Sequence, residues 1–140
     1  MYEQLKLDNQ LCFPLYSLSK EITNQYRPFL EAIDLTYPQY LVMMVLWEKD
    51  SLSVNEIGQR LHLDSGTLTP LLKRLEQKQL LKRERASDDE RRVTITLTDT
   101  GNALQQQAKD IPAKMAERMV MSKEEATVLR NVVKRLTSNH

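Results

Sequence analysis

One cysteine, Cys12, lies among leucines and aromatics in Leu11-Cys12-Phe13-Pro14-Leu15-Tyr16. Thiolate sulfur attacks peroxides to give a sulfenic acid, which goes on to a mixed disulfide, a backbone sulfenamide or higher oxides. A single cysteine excludes an intrachain disulfide. With only His62 and His140 as further imidazole donors, no metal site and no metal cofactor are expected. A lone cysteine in an apolar helix is more often a small buried hydrophobe than a reactive group. Two features weigh against that here. Tyr16 follows at i+4 on the same helix face. Pro14 follows two residues on, and if the helix begins there Cys12 lies in a first turn, where unpaired amides favour thiolate. Tyrosine hydroxyls could donate hydrogen bonds to such a sulfur while their rings form an apolar pocket; no spacing in the sequence puts Tyr26 or Tyr37 beside Cys12.

A second chemistry lies in Asp64-Ser65-Gly66-Thr67-Leu68-Thr69-Pro70-Leu71-Leu72-Lys73-Arg74-Leu75. Leu68, Leu71, Leu72 and Leu75 form one helical face, which leaves Ser65, Thr67, Thr69, Lys73 and Arg74 off it. Short hydroxyl side chains let a helix sit deep in a major groove, and cations reach phosphates or guanine edges. Gly66 permits close backbone approach where a helix N-terminus favours phosphate. Further on, Asp88-Asp89-Glu90-Arg91-Arg92 offers Arg91 and Arg92 to a narrow, electronegative minor groove, with Asp89 placed to aim an arginine. An isolated charged hairpin is usually a solvated turn; directly after a helix-turn-helix it reads as a DNA-binding wing. The chain carries a net charge of only +1, yet residues 73–92 hold eight basic side chains against five acidic ones. The positive field is local.

The elements that position these groups are mostly helical. Leu11, Leu15, Leu18, Ile22, Tyr26, Phe29 and Ile33 recur at steps of three and four, marking a long amphipathic helix that either kinks at Pro14 or begins close to it. Thr36-Tyr37-Pro38-Gln39 predicts a capping box ahead of the apolar run Tyr40 to Trp47, a buried helix. Ser53-Val54-Asn55-Glu56 predicts a second box and a short helix through Leu61, and Asp64-Ser65 caps the next. Two helices joined by so short a turn form a helix-turn-helix. Leu80 to Arg85 and the alternating Val93-Thr94-Ile95-Thr96-Leu97 then predict a hairpin. Thr98 should cap a long helix through Leu104, Ala108, Ile111, Met115 and Met119 with a kink at Pro112. Ser122-Lys123-Glu124-Glu125 opens the last helix.

At 140 residues, 41% apolar and 28% charged, the chain reads as a single soluble domain. No apolar run approaches the roughly 20 residues of a membrane span. The N-terminal residues lack a secretory pattern, leaving the cytoplasm as the expected compartment. The expected fold is mainly α with a small β-hairpin wing (α+β): a winged helix-turn-helix over about residues 37–98, with helices at about 8–34 and 99–138. So small a chain has too little core to bury every apolar stripe, so the terminal helices are expected to pack against a second copy, as a homodimer.

These residues resemble the MarR family of winged-helix regulators, and within it the organic-hydroperoxide-sensing OhrR branch. The general likeness rests on the recognition helix, Asp89-Glu90-Arg91 and Leu97-Thr98-Asp99-Thr100-Gly101. The likeness to that branch rests on Leu11-Cys12-Phe13, Tyr26-Arg27-Pro28, Leu35-Thr36-Tyr37-Pro38-Gln39-Tyr40-Leu41, Leu63 to Pro70 and Asp110-Ile111-Pro112. The resemblance implies an intertwined dimer that represses a detoxification gene. It also implies that Cys12 is the peroxide-reactive thiol, that Tyr26 and Tyr37 hydrogen-bond it, and that Arg91 enters the minor groove. No second cysteine is present, so the oxidised thiol would pair with a low-molecular-weight thiol, cyclise or over-oxidise.

The expected mechanism places two recognition helices in successive major grooves of a pseudo-palindromic duplex site, about 34 Å apart. Oxidation of Cys12 by an organic hydroperoxide repacks the tyrosines and lowers affinity. Three rivals stand beside this reading, the last of them a purely structural dimerisation module that binds no promoter DNA. A reversible phenolic ligand could replace the oxidant as signal. Alternatively the chain could be a peroxide-consuming thiol enzyme, against which stands the absence of a resolving cysteine and of an arginine or threonine motif around Cys12. The reading is therefore of a regulator, not an enzyme.

Overall fold

In the computed structural model, residues 1–85 and 92–138 are described. They fall into two compact units, Met1–Lys109 and Asp110–His140.

The first unit opens with two single turns of 3₁₀ helix, Glu3–Leu5 and Leu7–Asn9, and then α1, Cys12–Glu31. Pro14 stands third in α1. The first residues of a helix have no intrahelical partner for their N–H, so a proline there costs nothing. Of the two sequence alternatives, the helix therefore starts at this point. Only Leu30 of α1 is buried. Leu15, Tyr16 and Leu18 stay exposed along its first half.

Asp34, with a left-handed φ of 54°, turns the chain into α2, Tyr37–Glu48. Its capping box is complete: Gln39 N–H donates to Thr36 Oγ1 and Thr36 N–H donates to Gln39 Oε1. Tyr40, Val42, Met43, Val45 and Leu46 bury this helix on most sides. Trp47 Nε1 donates to the Gly101 carbonyl at 3.0 Å. Gly101 lies so near the Leu80 carbonyl that an added Cβ would overlap it.

A two-residue strand, β1 (Leu52–Ser53), precedes α3, Val54–Leu61. It was not expected, since two residues carry no readable periodicity. It pairs antiparallel with β3 (Val93–Leu97), which pairs in turn with β2 (Leu81–Arg85), giving the order β1-β3-β2. The predicted box at Ser53 forms only in half. Ser53 Oγ accepts from Glu56 N–H, and the Glu56 carboxylate accepts from the same hydroxyl instead of the backbone.

Left-handed His62 (φ 57°) ends α3. Asp64 then caps α4, Ser65–Gln77, through a 2.7 Å bond from Thr67 N–H. Gly58 allows the turn its tightness: a Cβ there would lie 2.7 Å from the Leu63 carbonyl. Leu68, Leu72 and Leu75 of α4 are buried with Ile57, Leu81 and Ile95.

Beyond the hairpin the expected long helix is segmented. Thr98 caps α5 (Asp99–Ala103), followed by α6 (Gln105–Ala108). Leu104 between them keeps right-handed angles, but Gln107 N–H turns to its carbonyl in the tighter i→i+3 pattern. In the second unit α7 (Ile111–Arg118) carries Pro112 in its first turn, where the kink was expected. At that position no intrahelical donor is needed, so the proline suits the start of a separate helix. The full Ser122–Glu125 capping box opens α8, Lys123–Thr137. No residue of α8 is buried, and Val128, Leu129, Val133 and Leu136 lie exposed.

Candidate functional site

The α4 helix turns two chemistries apart. Its leucines face the core. Ser65, Thr67, Lys73 and Arg74 are exposed, and Thr69 is partly so. Ser65 and Thr69 also line a cavity of about 290 Å³ with Ser53, Asn55, Arg92 and Val93. The start of α3, the start of α4 and the base of the hairpin thus share one polar surface. Asn55 was not singled out in the sequence; its place, two residues past the Ser53 cap, is the signal that could have found it. Arg92 is exposed. Asp89 and Arg91 lie outside the described residues.

Two side chains fix the far end of α4. Glu76 accepts from the Arg83 backbone N–H and from Arg83 Nε, each at 3.0 Å, tying the helix to β2. These bonds hold the Glu76 carboxyl below its ordinary range. At the other end, the Thr67 bonds likewise hold the Asp64 carboxyl low. Both groups therefore stay ionised as acceptors.

The thiol site is divided. Cys12 is the first residue of α1 and is exposed. Tyr16, one turn on, is exposed as well, with Lys20 Nζ 4.8 Å from its ring centroid. Tyr26 and Tyr37 come together, their ring centroids 4.8 Å apart. Tyr40 joins them at 5.9 and 6.4 Å, and meets Trp47 edge-on at 6.5 Å. Tyr40 was not among the candidate site residues of the sequence; its i+3 spacing from Tyr37, which puts both on one face, is the signal that could have found it. Burial raises all three phenols above their ordinary pKa, with their mutual proximity adding to it for Tyr37 and Tyr40. They remain O–H donors throughout the neutral range. Beside them Thr23, Arg27, Leu30, Leu35, Thr36 and Tyr37 line a cavity of about 260 Å³.

Cys12 is not part of that cluster. It precedes Tyr26 by fourteen residues of one helix, which at 1.5 Å of rise per residue is about 21 Å. Tyr37 sits at the tyrosine end. One chain therefore presents a thiol at one end of α1 and a pair of phenols at the other. Among the described residues no group of histidine, cysteine and carboxylate side chains could hold a metal ion, and no helix is long and apolar enough to cross a membrane.

Residues 24–108 match the family described as Transcriptional regulator SarA/Rot. The chain is 52% identical over 111 residues to the organic hydroperoxide resistance transcriptional regulator of Bacillus subtilis (strain 168), covering 79% of this chain and 76% of that protein. It is also similar to AbfR of Staphylococcus epidermidis. Reduced AbfR bound to DNA superposes with a TM-score of 0.81 at 38% identity, over 99% of this chain and 96% of that one. Overoxidised AbfR bound to DNA gives 0.82 at the same identity, over 99% and 98%.

Proposed function

Because this chain belongs to the SarA/Rot family of transcriptional regulators, among the OhrR-like winged-helix proteins of MarR type, we propose that it binds duplex DNA as a homodimer and represses transcription until an organic hydroperoxide oxidises Cys12. The single observation that carries the reading is α4, with Leu68, Leu72 and Leu75 buried and Ser65, Thr67, Lys73 and Arg74 presented outward at the end of a helix-turn-helix.

In the complex α4 enters the major groove. Ser65, Thr67 and Thr69 make short contacts near its N-terminus, and Lys73 and Arg74 reach phosphates or guanines. Arg91 and Arg92 serve the flanking minor groove, with Asp89 aiming the first of them. Residues 37–98 form the DNA-binding lobe. The apolar faces left open on α1 and α8 support dimerisation through residues 8–34 and 99–138, since each large side chain that a second copy covers stabilises the dimer by about 1.5–3 kcal/mol.

A second copy also resolves the divided thiol site. If the α1 helices run antiparallel, each Cys12 meets the tyrosine end of the other chain, and the protonated phenols can donate to its sulfur. The thiolate attacks the distal peroxide oxygen, the O–O bond breaks, and an alcohol leaves. Sulfur becomes a sulfenic acid, oxidised by two electrons, while the peroxide is reduced. With no resolving cysteine in the chain, this sulfenic acid passes to a low-molecular-weight thiol or to higher oxides. Peroxide is a stoichiometric signal, not a turned-over substrate, and the protein acts in the cytoplasm beside the chromosome.

Intact-mass measurement in parallel with DNA titration, before and after cumene hydroperoxide, tests this. The reduced protein should bind promoter DNA, and binding should fall as the mass of Cys12 rises. Release from DNA at unchanged mass would replace the oxidant by a reversible ligand, and steady peroxide turnover would make the chain an enzyme.

A further inference from the structure

Lys78 follows the last residue of α4 and reaches across to the corner between α1 and α2. Its Nζ donates to Gln39 Oε1 at 2.9 Å and to the Asp34 carbonyl at 2.5 Å, with the Asp34 carboxylate at 3.7 Å. Gln39 is only 3% exposed. Its Oε1 already accepts from Thr36 N–H at 3.1 Å, closing the cap of α2. A carbonyl oxygen has two lone pairs; here one holds the start of α2 and the other holds the end of α4. Tyr37, a member of the phenol cluster, stands between Thr36 and Gln39 in the same helical turn.

We propose that Lys78 is the positioning residue through which the state of the tyrosine pocket reaches the recognition helix. The proposal rests on the redox reading above and names how that site is coupled to DNA. When the pocket repacks, Tyr37 moves with its own turn, and Gln39 Oε1 moves because it belongs to that turn. The ammonium then loses its buried acceptor. The Glu76–Arg83 bonds still tie α4 to β2, so the helix pivots on the sheet instead of detaching. An isolated exposed ion pair would couple little. This one is anchored on a buried amide and a backbone carbonyl, where charge-assisted bonds are stronger.

Amide exchange in the full-length protein tests the link. Lys78→Met keeps the aliphatic stem and removes the charge, and Gln39→Glu keeps both acceptor positions. In the parent, treatment with cumene hydroperoxide should speed exchange in residues 36–40 and in 65–77. In Lys78→Met only 36–40 should respond, and the oxidation-dependent loss of DNA affinity should shrink from about a hundredfold to under about tenfold, within the usual range of coupling between sites. Gln39→Glu should behave as the parent. Tyr37→Ala disturbs the pocket with no oxidant, and Lys78→Met placed on it should again silence 65–77. Equal responses of 65–77 with and without Lys78, on either background, would overturn the link. So would uniform loss of protection in Lys78→Met, the mark of a merely stabilising residue. An unreactive Cys12, by contrast, would sink the redox reading and leave the Tyr37→Ala comparison to decide this one.

Discussion

The rings of Tyr26 and Tyr37 lie 4.8 Å apart at a 38° tilt, one on α1 and the other in the first turn of α2. The left-handed corner at Asp34 folds the two helices onto each other and makes this contact. Burial holds both phenols, and Tyr40 with them, above their ordinary pKa near 10. The folded state therefore favours the neutral form. The associated stability is fully present below pH 10 and is lost as pH rises through the higher folded values. Absorbance titration near 295 nm should show these phenolates forming late, with unfolding at the alkaline end. Tyr37→Phe should let Tyr40 ionise earlier, because Tyr37 is one cause of its shift. An unchanged Tyr40 titration would argue against the cluster.

Cys12→Ser should bind DNA like the parent and ignore peroxide. If oxidation costs the parent about a hundredfold in affinity, equivalent to about 2.7 kcal/mol, the serine protein should change by less than about threefold under the same treatment. Electrophoretic mobility or anisotropy titrations measure both. Equal release of the two proteins would remove Cys12 from the mechanism.

Lys73 and Arg74 should separate by the salt dependence of binding. A lysine on phosphate displaces a counterion, so Lys73→Ala should lower the slope of log affinity against log salt by about one. An arginine reading a guanine edge contributes discrimination. Arg74→Ala should cost about 1–3 kcal/mol on the preferred site and much less on random duplex. Equal losses on both duplexes would reassign Arg74 to the backbone.

Gly58 and Gly66 flank the same turn but should respond oppositely to alanine. The Cβ of Gly58→Ala meets the Leu63 backbone oxygen at 2.7 Å, whereas at Gly66 the Asp64 side chain, at 3.7 Å, is the one near neighbour among the described residues. Overpacking at Gly58 should destabilise the fold by about 1–3 kcal/mol. Gly66→Ala should be neutral or stabilising by up to about 1 kcal/mol, as for glycine replaced within a helix, while weakening DNA binding where the backbone comes close to phosphate. Chemical denaturation and DNA titration on both variants check the pair.

What the sequence alone determined is what neighbouring residues decide. The capping boxes at Thr36 and Ser122, the Asp64 cap and the leucine face of α4 are interactions within one turn or one helix, so type and spacing reveal them. Pro14 narrowed α1 to a kink or a start at that point, because a proline is harmless only where no donor is needed, and the structure chose the start. The exposed stripes on α1 and α8 could be foreseen from the excess of apolar faces over available core. Tertiary structure alone decided the rest. Strand β1 exists because β3 offers it an edge. Tyr40 enters the phenol cluster, and Lys78 finds Gln39 thirty-nine residues away, only once Asp34 has reversed the chain. The rise of a helix keeps Cys12 from Tyr26 within one chain. Contacts between distant segments follow from the path of the backbone, and that path is the outcome of all the packing together, which no local spacing encodes.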